Sequence, residues 1–126
     1  MRKKKEIDSA KRDRRKDSRV NEEDKVVVEI LSNSNPSGEV MVFNALTKDI
    51  SPGGVRIMAN RALTAGTVVS LEIALPRSRK LIRGKGKVSW TRSVYEEELF
   101  EMGVEFTQIP LKDKMILLEH TYRKKD

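Results

Sequence analysis

The stretch "TVVSLEIALPRSRKLIRGKGKVSW", Thr67 to Trp90, contains two runs rich in β-branched and aliphatic residues with only "PRSRK" (Pro76 to Lys80) between them. Branching at Cβ restricts χ1 and suits the pleated surface of a sheet. A parallel pair needs a crossover of roughly a dozen residues or more, so a link this short predicts an antiparallel hairpin. Working outward, similar runs recur as "VVVEIL" (Val26 to Leu31), "EVMVFNAL" (Glu39 to Leu46), "GVRIMA" (Gly54 to Ala59) and "MGVEF" (Met102 to Phe106). Between them stand the turn signals "SNSNPSG" (Ser32 to Gly38), "SPGG" (Ser51 to Gly54) and "TAG" (Thr64 to Gly66), again too short for helices. Six short strands in under ninety residues would leave exposed edges unless the sheet closed on itself. The expected fold is therefore all-β, a six-stranded antiparallel small β-barrel over residues 20–109.

The chain ends differently. Leu111, Met115, Leu118 and Tyr122 are spaced by four, three and four, the stripe of one helical face, and predict a C-terminal helix within 110–126 that packs this stripe on the barrel. His120 reads as an exposed polar position on that helix, and Glu96 to Glu98 as a solvated hairpin loop. Residues 1–19 have almost no apolar side chains and cannot bury enough surface to order themselves, which predicts a flexible basic N-terminal arm.

Charge is unevenly placed along the 126 residues. Residues 1–19 hold ten Lys/Arg against four Asp/Glu, whereas 20–126 hold sixteen against fifteen, so most of the net charge of +7 belongs to the arm. An anionic partner should be met there. The chain has no cysteine and one histidine, which gives no disulfide framework, thiolate site or histidine cluster, and no metal is expected. No segment approaches the roughly 20 apolar residues of a spanning helix, and the basic start lacks the apolar stretch of a secretory signal, so a soluble cytoplasmic protein is expected. No nucleophile and base pair is readable, and catalysis is not expected.

Two short motifs carry chemistry. In "DISPGG" (Asp49 to Gly54), a carboxylate and a hydroxyl lie two residues apart at a strand end and so face the same side. Gly54 would let a ligand or a second backbone approach without a Cβ in the way. The plainer alternative is an Asx or type II turn with Pro52 and Gly53 at its centre. In "KRDRRKDSRV" (Lys11 to Val20), Arg15 and Arg19 are four apart, a spacing that places two guanidinium forks on one side of a helical turn. Such forks clamp phosphates, reach guanine O6 and N7, or stack on a base. Taken alone, the plainer alternative is a solvated basic tail with arginines four apart by chance. "GKGKVS" (Gly84 to Ser89) lacks the phosphate-loop spacing and lies within a strand pattern.

Together, R-x-x-x-R before the first strand and D/N-x-S-x-x-G at the end of the second resemble the PilZ domain, the bacterial receptor module for cyclic di-GMP. The resemblance extends over about residues 14–107 through "RRKDSRV", "DISPGGVRI", "GKVSW" and "MGVEF", in the family's order. It implies a six-stranded barrel with a terminal helix. It also implies that Arg15 and Arg19 clamp phosphate and guanine, that Asp49 accepts from a guanine's Watson–Crick edge, and that Ser51 donates to an oxygen. Gly53 and Gly54 would leave room for a flat base. Trp90 would either stack on a base at the rim or belong to the packing. Family members differ in binding one nucleotide or a stacked pair, and Arg14, a third fork before the matched pair, implies two per chain. No further cofactor is expected, and the effector protein that would read the bound state is not encoded in a motif. Two alternatives remain: a nucleic-acid binder using the arm, which lacks the aromatic platform of single-strand binders, and an adaptor whose ligand motifs are vestigial.

Overall fold

The computed structural model describes residues 19–31 and 41–125, with side chains as far as Tyr122. The arm through residue 18, with Arg14 and Arg15, and the turn "SNSNPSG" lie outside the described residues. Seven strands form one antiparallel sheet: β1 (Val20–Asn21), β2 (Lys25–Ile30), β3 (Met41–Ser51), β4 (Gly54–Ala59), β5 (Val68–Leu75), β6 (Lys80–Tyr95) and β7 (Leu99–Gln108). The order β3-β2-β5-β6-β7-β4 closes through a β3–β4 pairing, giving the expected six-stranded barrel. Among the described residues one helix, α1 (Leu111–Lys125), follows.

Alternation explains why these runs fold this way. Along β5, Val69, Leu71, Ile73 and Leu75 point into the core with at most 1% exposure, while Ser70 and Glu72 point outward. Val26 and Val28 of β2 and Ile82 and Val88 of β6 meet them inside. Burying a side chain of this size stabilises by about 1.5–3 kcal/mol. The hairpin predicted from Thr67 to Trp90 is present, with Leu75 opposite Lys80 and a four-residue loop in which Arg79 has φ 58°. "GKGKVS" lies inside β6, and the acidic residues 96–98 form the exposed β6–β7 turn.

The structure differs from expectation at both ends of the barrel. The seventh strand, β1, is only two residues long, too short to leave a pattern in sequence. It pairs with β3 as Val20↔Ile50 and Asn21↔Asp49. The chain then kinks through residues 22–24, where Thr47 organises the bend. The Thr47 N–H donates to the Asp24 carbonyl at 2.9 Å, and Thr47 Oγ1 accepts from the Asp24 N–H at 2.8 Å. That hydroxyl also donates to the Glu22 carbonyl.

The helix packs on the barrel through the face opposite to the one expected. Leu111 is 75% exposed and Tyr122 68%, with Met115 and Leu118 also exposed, whereas Asp113, Leu117, His120 and Thr121 are buried. The reason is that the buried face is held largely by polar groups with partners. Asp113 Oδ2 accepts the Arg83 N–H at 2.7 Å, and His120 Nε2 lies 2.8 Å from Glu22 Oε2. His120 is thus a buried tie to the segment behind β1, not an exposed position.

Candidate functional site: a cationic cleft beside Trp90

The site begins at the β3–β4 turn. Pro52 and Gly53 occupy its two central positions, with Ser51 paired to Gly54. Among the described residues Gly66 is the glycine with a left-handed φ, so the turn is not type II, which would require one at Gly53. A bulge at Lys48 shifts the β3–β4 register and sets Asp49 opposite Arg56. A second irregularity, between Val88 and Trp90 in β6, sets Trp90 opposite Gly103. Arg56 is itself opposite Gly103. The two bulges thereby align one row across four strands, Asp49, Arg56, Gly103 and Trp90, which re-aims side chains as bulges commonly do.

Asp49 and Ser51 do face the same side, as their spacing requires, and there they meet Arg19. Arg19 Nη1 donates to Asp49 Oδ1, and Nη2 donates to Ser51 Oγ at 3.0 Å. On the other carboxylate oxygen, Arg56 Nε donates at 2.7 Å, with Nη2 beside it. Asp49 and Ser51 have no exposed surface. The Asp49 oxygens, expected to accept from a guanine edge, here accept from two arginines. It thereby holds both side chains at the cleft.

Burial by itself pushes the Asp49 carboxyl up, but the hydrogen bonds from Arg56 and Arg19 and their charges outweigh it and hold its pKa below the usual carboxylate range. The same bond to Asp49 raises Arg56 above the ordinary guanidinium value, against the opposing effect of desolvation. Farther along, Glu101 is buried and accepts from Arg92 Nε at 3.0 Å and Nη2 at 2.6 Å. Its other oxygen is 3.3 Å from Arg56 Nη1 and makes no hydrogen bond of good geometry, so that contact is electrostatic only. Among the described residues, Asp49 is the carboxylate that ion-pairs with Arg19, and it is shared with Arg56.

Arg19, Gly53, Gly54, Arg56, Trp90 and Gly103 line one cleft of about 470 Å³, with Val55, Ser89, Val104 and Glu105 completing its walls. The Arg19 side chain keeps 40% of its surface exposed and that of Arg56 37%. Trp90 stands at the cleft, 37% exposed. A Cβ added to Gly103 would sit 2.3 Å from Trp90 Nε1, so the indole lies directly on the glycine. The role expected for Gly54 is narrowed in the same way. A Cβ there would come within 2.4 Å of the Val104 carbonyl oxygen, so the close approach it permits is that of the β7 backbone. Of the sequence-expected residues, Arg19, Asp49, Ser51, Gly53, Gly54 and Trp90 converge here.

Arg56 and Gly103 were not singled out from sequence. Their signals were a lone charge within the apolar run "GVRIMA", and a glycine inside a strand, which often marks a close approach. Two half-exposed guanidinium forks beside a flat indole give a surface suited to an anion that carries a planar ring. Among the described residues, no helix is long and apolar enough to cross a membrane.

Among solved structures, the inhibitor of motility MotI/DgrA of Bacillus subtilis is 21% identical, with a TM-score of 0.70 over 88% of this chain and 51% of that one. The PilZ domain of YcgR from Escherichia coli with c-di-GMP is 11% identical, with a TM-score of 0.64 over 89% of this chain and 92% of that one. The MrkH–c-di-GMP complex of K. pneumonia is 20% identical, with a TM-score of 0.60 over 88% and 53%. The chain spans about half the length of MotI/DgrA and of MrkH. No curated protein matches. The PilZ domain model matches residues 13–123, so the sequence motifs, the closed barrel and the family match coincide, and the chain belongs to the PilZ domain family.

Proposed function

We propose that this chain is a non-enzymatic receptor for cyclic di-GMP, and that it acts by changing the order and position of its N-terminal arm for a partner protein to read. The observation that carries the reading is Arg19, held by Asp49 and Ser51 at the mouth of a cleft that also presents Arg56 and Trp90. A guanidinium fixed by a buried carboxylate keeps its remaining N–H groups aimed outward, so less rotamer freedom is lost when an anion docks. The c-di-GMP complexes of YcgR and MrkH share this fold, which supports the ligand assignment. In this reading Arg15 and Arg14 bring further forks from the arm, Gly53 leaves space for a base, and Trp90 stacks at the rim.

Calorimetry with cyclic di-GMP, set against GTP and a DNA oligomer, tests the assignment. Saturable binding of cyclic di-GMP alone is expected, and Arg15→Ala or Arg19→Ala should abolish detectable binding while the barrel still melts cooperatively. Wild-type affinity in either variant, or preference for the oligomer, would sink it. The titration should end at two nucleotides per chain, with Arg14→Leu moving the ratio toward one. Amides of residues 11–18 should gain protection from hydrogen exchange when the nucleotide is added. Protection that does not change would remove the arm from the mechanism.

A further inference from the structure

The outward face of α1 is apolar and regular, and its large side chains are exposed. Leu111, Met115, Leu118 and Tyr122, all exposed, follow the four-three-four spacing of a coiled-coil seam. At about 100° per residue they centre roughly half a turn from Leu117 and His120, which face the barrel. A helix laid on this stripe would therefore meet no part of its own barrel. The stripe borders a groove of about 740 Å³ in which Lys112 and Glu119 stand on one flank.

The geometry points to a second copy of this chain as the occupant, bound through an antiparallel pair of α1 helices. A two-fold axis between Met115 and Leu118 seats Met115 of one copy against Leu118 of the other, and Leu111 against Tyr122. The same operation brings Lys112 of each copy beside Glu119 of its partner, so the flank is self-complementary, as an isologous interface requires. A parallel pair would instead place the basic ends "RKK" (Arg123 to Lys125) together and align the helix dipoles. Four side chains over about three turns cover less than the ~800 Å² per partner of a stable interface. The dimer is accordingly weak, forming in the micromolar range and above.

Sedimentation velocity on the full chain, from low micromolar to near millimolar, tests this. The mass should rise from 14.4 kDa toward twice that value. Leu118→Glu should keep the chain monomeric, with an unchanged melting curve because Leu118 touches little of the core. Lys112→Glu should weaken the dimer at least tenfold, and the double variant Lys112→Glu/Glu119→Lys should restore it. A chain that stays monomeric throughout, a dimer indifferent to Leu118→Glu, or a charge reversal that the double variant fails to rescue would each overturn the proposal. So would a monomer that floats with phosphatidylglycerol vesicles through this face.

Discussion

Asp49 is the residue on which the cleft depends, since one buried carboxylate fixes two arginines from different parts of the chain. Its folded pKa is depressed, so the unfolded chain binds more protons in the acid range and stability rises with pH there. That stability is present at neutral pH and is lost as pH falls through the folded pKa. Asp49→Asn should flatten the acid limb of a melting-temperature profile, and an unchanged limb would refute the linkage. Because Arg19 and Arg56 keep access to water, Asp49→Ala should cost less than the roughly 3–5 kcal/mol of a fully buried pair, while calorimetry registers a loss of cyclic di-GMP affinity of tenfold or more. Gly54→Ala should lower stability by about 1–3 kcal/mol through the clash with the Val104 carbonyl, measured by urea unfolding. Sequence made the proximity of Asp49 and Ser51 legible through strand periodicity. It did not reveal that they pair with Arg19, because the two-residue β1 that brings Arg19 beside Asp49 leaves no pattern in sequence. Nor did it reveal that Arg56 joins them, because the bulge at Lys48 has no signature in residue type.

At the scale of elements, the helix separates sequence pattern from tertiary fact. The 3.6-residue period identifies α1 correctly, but the most apolar stripe, expected on the barrel, is the outward one. What the pattern cannot register is that Asp113 and His120 become buried by finding the Arg83 N–H and Glu22, contacts distant in sequence. The consequence is measurable in paired variants. Leu117→Ala, in the core, should cost about 2–5 kcal/mol, whereas Leu111→Ala, at the surface, should stay within about 0.5 kcal/mol. The reverse ranking in urea unfolding would favour the original face. The strands were easier to read, since alternating Val, Leu and Ile over short runs with close turns leave few other arrangements, and only the two-residue β1 escaped notice.

For the whole molecule, closure through β3–β4 leaves the six barrel strands with neighbours on both sides, and among the described residues Arg19, Asp49 and Ser51 meet at one rim. Barrel closure followed from strand count and turn length, but which strands meet across the seam is a long-range outcome that no local pattern encodes. A ligand that binds only the folded barrel raises its stability by mass action. Cyclic di-GMP at a hundredfold excess over its dissociation constant should add about 2.7 kcal/mol, or roughly 10 °C in melting temperature for a domain of this size. A melting curve that does not move would contradict the proposed receptor role. With a net charge of +7 concentrated ahead of β1, the association rate should also fall as salt is raised, which stopped-flow mixing would follow.

Trp90 is the chain's single tryptophan, and its indole lies on Gly103 at the edge of the cleft. Light absorbed at the red edge of the protein spectrum is therefore emitted from one known place, with no second indole to dilute it. The emission maximum reads the polarity of the cleft, and its decay reads the motion of one ring against one strand. The molecule carries its own optical probe at the rim where the arginines converge.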